Sequence, residues 1–188
     1  DKELLDELVA DWKDIEQDPK LDEFKKYLKK KLFKPAINKE GKLVVFSESK
    51  ETTTYLKDKL EEAGFEKILC VESATRKNLM PEIRENFDAN IPLAEQKNNY
   101  NIIISTEVLA EGINLHRANI IVNYDTPWNS TRLMQRIGRV NRIGSTADEI
   151  HIFNFFPTTK VDDDIELQKK AIIKLEAFHA ALGEDSQI

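Results

Sequence analysis

The sequence predicts an α/β domain of three layers, with a mostly parallel sheet between two helical layers. Three observations carry this. Short apolar runs recur at 43–46, 68–71, 102–104, 120–122 and 150–155. They are continuously apolar rather than alternating, as strands buried on both faces are. Stretches of helical pattern separate them, and strands alternating with helices form parallel sheets.

Composition sets the bounds. At 188 residues, 40% of them hydrophobic, the chain can bury a real core. With 33% charged residues it belongs to the globular class with a well-charged surface. No apolar run approaches a membrane span, so no membrane partner is expected. The single cysteine, Cys70, excludes an internal disulfide and fits a reducing compartment, so the expected location is cytoplasmic. It sits within a strand and reads as a small core residue. The chain opens on Asp1 and is expected to be part of a longer protein. The formal net charge of −6 argues against nonspecific coating by nucleic acid. A site for phosphate or nucleic acid must then be a local basic patch.

In chain order, Leu4, Leu5, Leu8, Val9, Trp12 and Ile15 recur at helical spacing. A break at Asp18-Pro19 precedes a second helix bearing Leu21, Phe24, Leu28 and Leu32. Residues 1–34 read as a helical extension and 35–41 as a linker. Helices are expected at 51–63, closed by Gly64, at 79–87 with Pro81 in the first turn, and at 131–137. Asn129 is the expected cap of the last of these. Residues 88–101 read as a flexible polar loop. A final helix at 162–182 is expected within a terminal segment, 158–188, leaving 35–157 as the α/β domain. His116 and His151 have no partners at metal-ligand spacing, so no metal site is assigned.

Ligands of parallel sheets gather at the carboxyl ends of the strands, here residues 47–50, 105–114 and 124–128. The strongest chemical signal follows the last of these. Arg132, Arg136, Arg139 and Arg142 fall within about 120° of one face of an ideal helix. No acidic residue occurs from 126 to 147. Like charges on one face repel, so the cluster points to an anionic partner. Arginine, whose planar fork grips two oxygens at once, points to phosphate. The alternative from charge alone is a solvated basic helix end.

Gln135-Arg136-Ile137-Gly138-Arg139-Val140-Asn141-Arg142 resembles motif VI of superfamily 2 helicases. Residues 105–115, with Ser105, Thr106, Glu111, Gly112 and Asn114, resemble motif V, and Val44-Val45-Phe46-Ser47 resembles motif IV. Residues 118–129 are similar to the segment joining motifs V and VI in the Swi/Snf-like or RapA-like branch. The motifs occur in the family's order over residues 42–157.

The resemblance implies a RecA-like (P-loop NTPase-like) fold and the second motor domain of an ATP-dependent helicase or DNA translocase. Arg139 and Arg142 would be arginine fingers toward the γ-phosphate of ATP. Gln135 and Arg136 would brace the motif beside the nucleotide, Gly112 would pass close to it, and Glu111 and Asn114 would lie near the ribose or the partner domain. Ser105, Thr106 and Ser47 would bind nucleic-acid phosphate, with double-stranded DNA favoured. Trp128 would be either an interdomain contact or a packing anchor. The G-x-x-x-x-G-K-[ST] phosphate loop does not occur in the chain. ATP and Mg2+ are therefore expected on an N-terminal RecA-like domain, and this chain alone is expected to be inactive. The competing reading is a noncatalytic helicase-like binding module. Glu107 stands where the family often has aspartate, Ser130 where this branch often has proline, and residues 72–86 lack the family's glycine and clear arginine.

Overall fold

A computed structural model of the chain describes residues 17–109, 112–127 and 129–156, with isolated residues 2, 4–6, 9 and 173. The expected helix at 162–182, Glu111 and Trp128 lie outside the described residues, and most of the first helix does too. The described elements are α1 (Pro19–Tyr27), continued by a π-helical turn (Leu28–Leu32), β1 (Leu43–Phe46), α2 (Lys50–Glu62) and β2 (Ile68–Val71). They continue with α3 (Arg76–Phe87), β3 (Ile102–Ser105), β4 (Ile120–Asn123), α4 (Ser130–Val140) and β5 (His151–Asn154).

The strands form one sheet in the order β2-β3-β1-β4-β5, and every pairing is parallel. Side chains alternate across it as strand geometry demands. Leu43, Val45, Ile102, Ile104, Ile120 and Val122 join one core with Leu21, Phe24, Leu28, Leu32, Leu56 and Leu60 of α1, the π turn and α2. Val44, Phe46, Ile103 and Ile121 join the other with Ile83, Phe87, Leu109 and Val140. Four strands are buried on both faces or nearly so, whereas edge strand β5 is half-buried along its length. The three-layer α/β class expected from the apolar runs is the observed one.

Local chemistry fixes the element ends. The Asp18, Ser49 and Asn129 side chains accept from the backbone N–H of Leu21, Thr52 and Thr131, capping α1, α2 and α4. Gly64 takes φ +83°, and the N–H of Phe65 donates to the carbonyl of Leu60, ending α2 in the left-handed manner that favours glycine.

One expectation is corrected. Helix α3 begins at Arg76, so Pro81 lies inside it rather than in its first turn. A turn closed by the Thr75 and Arg76 N–H groups on the Glu72 carbonyl starts the helix early, through polar residues that an apolar count overlooks. The 88–101 loop is clamped at its far end. The Asn86 side-chain carbonyl accepts from the N–H of Asn99 and Tyr100 at 2.8 and 3.2 Å. Buried Arg117 donates to the carbonyls of Glu85, Asn86 and Lys97 and to the Asn98 side chain. The second helix of the expected extension is also part of the core. Phe24 packs edge-on against Tyr124 and Phe155, with ring centroids 5.6 and 5.8 Å apart.

Lys42 is fully buried. Its Nζ donates to the Tyr100 carbonyl at 2.9 Å and lies 5.1 Å from the centre of the Phe87 ring. Burial, then the neighbouring Arg117 charge, pushes its ammonium down to about 8 from 10.5. Between those values the unfolded chain keeps a proton that the folded chain has released, so this group adds stability as pH rises from about 8 to 10.5. Urea unfolding of wild type and Lys42→Met across that range should show the rise in wild type only. Equal pH slopes would refute it.

Candidate functional site

The centre of the site is Arg136, at a position of α4 between Leu133 and Val140, both of which are buried. The side chain is itself 0% exposed, and each of its N–H groups is satisfied. Nε donates to Glu107 at 2.7 Å, and Nη2 reaches the same carboxylate and Glu48, the latter at 2.7 Å. Nη1 donates to the Asn123 side chain at 2.8 Å and to the Asp125 carbonyl at 3.2 Å. Phe46 lies beneath the guanidinium, its ring centre 5.0 Å from the central carbon. Asn123 in turn donates to Asn154 at 2.7 Å. One cation thus joins the carboxyl ends of β1, β3 and β4, and through Asn123 that of β5. Arg136 was expected near the nucleotide as a brace. All five of its donors are spent inside the domain.

Beside it, Asp125 accepts from Lys20 at 2.7 Å, from the Ser47 hydroxyl and from the Glu48 N–H at 3.2 Å. Burial alone would raise this carboxyl, but the hydrogen bonds from Lys20 and Ser47 outweigh it and hold the group below its usual range.

These contacts correct three expectations. The four arginines do not share a solvated face: Arg136 is buried, Arg132 pairs with Glu48 at 2.9 Å, and Arg142 lies beyond the end of α4. The carboxylates missing from residues 126–147 are supplied by Glu48 and Glu107, from the segments after β1 and β3. The Ser105 and Ser47 hydroxyls, expected to meet nucleic-acid phosphate, are both buried and committed, Ser105 to the Val71 carbonyl at 2.7 Å and Ser47 to Asp125. Hydroxyls at parallel strand ends find a neighbouring acceptor before they find solvent. Thr106 remains half-buried at the strand end, and Gln135 is exposed.

Arg142, Asn114 and Gly112 gather elsewhere, toward the far end of α4. The Arg142 Nη1 donates to the Asn114 side-chain carbonyl, and its Nε to the Gly138 carbonyl at 3.1 Å. The Asn114 amide donates to Asp88 at 3.2 Å. Arg139 anchors the same region through its carbonyl, which accepts from the Leu115 N–H at 2.9 Å. Gly112 is exposed at φ +69°, and a Cβ there would come 3.5 Å from an Arg76 nitrogen. A bulkier residue would be strained, and the backbone is left open to close approach. Buried His116 stands 3.7 Å from Asp88. Burial lowers its titration, partly opposed by Asp88 and reinforced by Arg142. Among the described residues no group of three or more His, Cys, Asp and Glu could hold a metal ion. No described helix is long and apolar enough to cross a membrane.

Asp88, Glu48, Asn123 and Arg117 were missed from sequence. Glu48 had a signal, since it directly follows the motif IV serine.

Residues 20–144 match the family model for the helicase conserved C-terminal domain. The chain belongs to this family. A Bacillus subtilis protein named uncharacterized ATP-dependent helicase YqhH is 31% identical over 145 residues, 77% of this chain and 24% of that protein. The ATP-dependent RNA helicase fal1 of Aspergillus oryzae is 27% identical over 131 residues, 64% of this chain and 31% of that protein. This chain therefore spans from about a quarter to just under a third of the length of those relatives. Among solved structures, the C-terminal part of the Fun30 ATPase domain aligns with TM-score 0.62 and 22% identity, covering 82% of this chain and 45% of that one. Saccharomyces cerevisiae Dbp5 bound to RNA and ADP BeF3 aligns with TM-score 0.55 and 23% identity, covering 81% and 36%. These likenesses establish the fold, that of a RecA-like C-terminal helicase domain.

Removing one side of a buried ion pair leaves its partners uncompensated. Glu48 and Glu107 are partly exposed, which softens the loss. Arg136→Ala should still destabilise the helicase domain by about 3 kcal/mol, read as a lower urea midpoint. Arg136→Lys should recover only part, because an ammonium cannot reach all four acceptors. A variant within about 0.5 kcal/mol of wild type would show that the hub is not structural.

Proposed function

We propose that this domain is the second motor domain of an ATP-dependent helicase or translocase, acting on ATP held by another domain. The observation that supports it most is the exposed Arg142 guanidinium, tethered by Asn114 and the Gly138 carbonyl with no carboxylate partner among the described residues. Arg132 and Arg136 are neutralised from within, whereas Arg142 is held in place by neutral groups and keeps its charge for an external anion. Open backbone at Gly112 and the nearby Arg139 suit a polyphosphate. The donors are cations and amides rather than an acidic cluster, which fits a site that receives phosphate while Mg2+ is held across the cleft.

ATP, when bound, supplies the phosphoryl group whose transfer releases free energy. The work of this chain is electrostatic. Arg139 and Arg142 place positive charge where negative charge shifts on the γ-phosphoryl group. Asn114, itself held by Asp88, orients Arg142. The Arg136 hub couples motifs IV, V and VI, so that closure on ATP moves the nucleic-acid track as one body. Thr106 stands at that track. The Swi/Snf-like character of residues 118–129 favours movement along double-stranded DNA. Relatives named RNA helicases keep RNA as the alternative substrate, and assays on both decide between them.

In the protein that also carries the ATP-holding domain, Arg142→Ala and Arg139→Ala should each lower kcat by about a thousandfold with little change in ATP affinity. Arg132→Ala, which loses one exposed ion pair worth about 0–1 kcal/mol, should be nearly silent. Near-normal stimulated turnover by both finger variants would defeat this reading.

With no phosphate loop in its sequence, the 188-residue chain alone should hydrolyse no ATP. Sustained turnover by the purified chain, abolished by Arg142→Ala, would place a complete site within it.

A further inference from the structure

Six lysines fall between Lys25 and Lys34, and no acidic residue occurs from 25 to 39, in a chain of net charge −6. Leu21, Phe24, Leu28 and Leu32 are buried in the core, which turns the lysines outward. Lys26, Lys29, Lys30, Lys31 and Lys34 are exposed, and Lys25 is half-buried. Within the helical turns Lys25 and Lys29, and likewise Lys26 and Lys30, are four residues apart. At helical rise their positions are about 6 Å apart along the axis, where like charges oppose one another. Only Lys26 has a carboxylate among the described residues, Glu23 at 2.9 Å. The nearby acids of α2, Glu61 and Glu62, are taken by Lys57 and Lys59. Lys29 lies 5.8 Å from the Phe65 ring centre and Lys31 lies 5.0 Å from that of Phe153. The basic surface read from the sequence, the arginines of α4, is largely neutralised internally. The uncompensated one lies on α1 and its π turn.

We propose that this lysine surface docks the phosphate backbone of duplex DNA, outside the motor's own track and without reading sequence. The inference rests on the nucleic-acid reading given under Proposed function. Lys25 to Lys31 spans about 9 Å of helix, a length over which duplex DNA lays down about five phosphate charges. Single strands are held by exposed aromatic rings on which bases stack. Here Tyr27, Phe33, Phe65 and Phe153 are partly buried against the core, so the surface offers charge without a stacking platform. Lysine is a compact point charge rather than a planar fork, which suits backbone contact more than base edges. Phosphate contacts of this kind position a protein and carry no sequence information.

The test is fluorescence anisotropy of the 188-residue chain with a labelled 20-base-pair DNA across a salt series. The variant Lys29→Glu/Lys30→Glu/Lys34→Glu should bind at least tenfold more weakly. Its slope of log K against log salt should be shallower by about 2–3, near 0.9 per lost contact. Lys29→Arg/Lys30→Arg/Lys34→Arg should bind as wild type, and Lys57→Gln/Lys59→Gln, whose charges are already paired, should change little. Circular dichroism melts check that the variants fold, and Lys29→Gln/Lys30→Gln/Lys34→Gln repeats the loss without charge reversal. Unchanged affinity and slope in both the glutamate and glutamine variants, while Thr106→Val weakens binding, would overturn the lysine surface and leave the motor reading intact. No binding of wild type to duplex or single strand would overturn the nucleic-acid reading and this inference together. A loss confined to single-stranded probes would overturn the duplex assignment. Displacement by polyglutamate at lower charge concentration than by duplex would assign the surface to an acidic protein instead.

Discussion

A buried guanidinium has to find acceptors for all its donors, and the carboxyl end of this sheet is organised around that demand. Taking a lone cation out of water costs several kcal/mol. Arg136 can occupy the core side of α4 only because Glu107, Glu48, Asn123 and the Asp125 carbonyl converge on it from three strand ends. An apolar side chain of similar volume could fill the same space and stabilise as well, since a buried ion network contributes more to arrangement than to net stability. What the arginine adds is a fixed geometry. The segments that follow β1, β3 and β4 cannot shift relative to α4 without leaving a charge stranded.

That constraint divides the arginines of α4 and its exit between two tasks. Arg136 and Arg132 face carboxylates of the same chain and hold the domain together. Arg142, restrained by a side-chain amide and a backbone carbonyl, keeps a charge unspent. The division follows from which neighbours each arginine meets, as their spacing along the helix does not distinguish them.

The strands, their parallel arrangement and most capping residues were legible because they depend on local pattern. Continuous apolar runs read as strands buried on both faces, and Asn129 and Gly64 stand where helix ends require such residues. The site was legible only as motifs. Helical periodicity grouped Arg136 with Arg132 and Arg142 on one face, but it says nothing of what that face meets. The acids that meet it, Glu48 and Glu107, lie 88 and 29 residues away in sequence. The substitution of glutamate for the family's usual aspartate at 107 was visible, but its partner became apparent only in three dimensions. Ser47 and Ser105 show the reverse error. Their motif membership suggested an outward role, while the strand ends hold both hydroxyls inside. The start of α3 was misplaced because Glu72 and Thr75 close a polar turn that hydrophobic counting does not register.

The clamp on the 88–101 loop separates the length of that loop from the rest of the domain. Asn86 binds the backbone at Asn99 and Tyr100, Arg117 binds both the end of α3 and the end of the loop, and Leu93 between them is 85% exposed. Residues 89–96 thus bulge from a base whose two ends are fastened together. Segments of this kind can be lengthened, shortened or replaced by a folded insert at small entropic cost, because the ends stay in register whatever lies between them. At this loop the outline of the domain can change while β3 stays where it is.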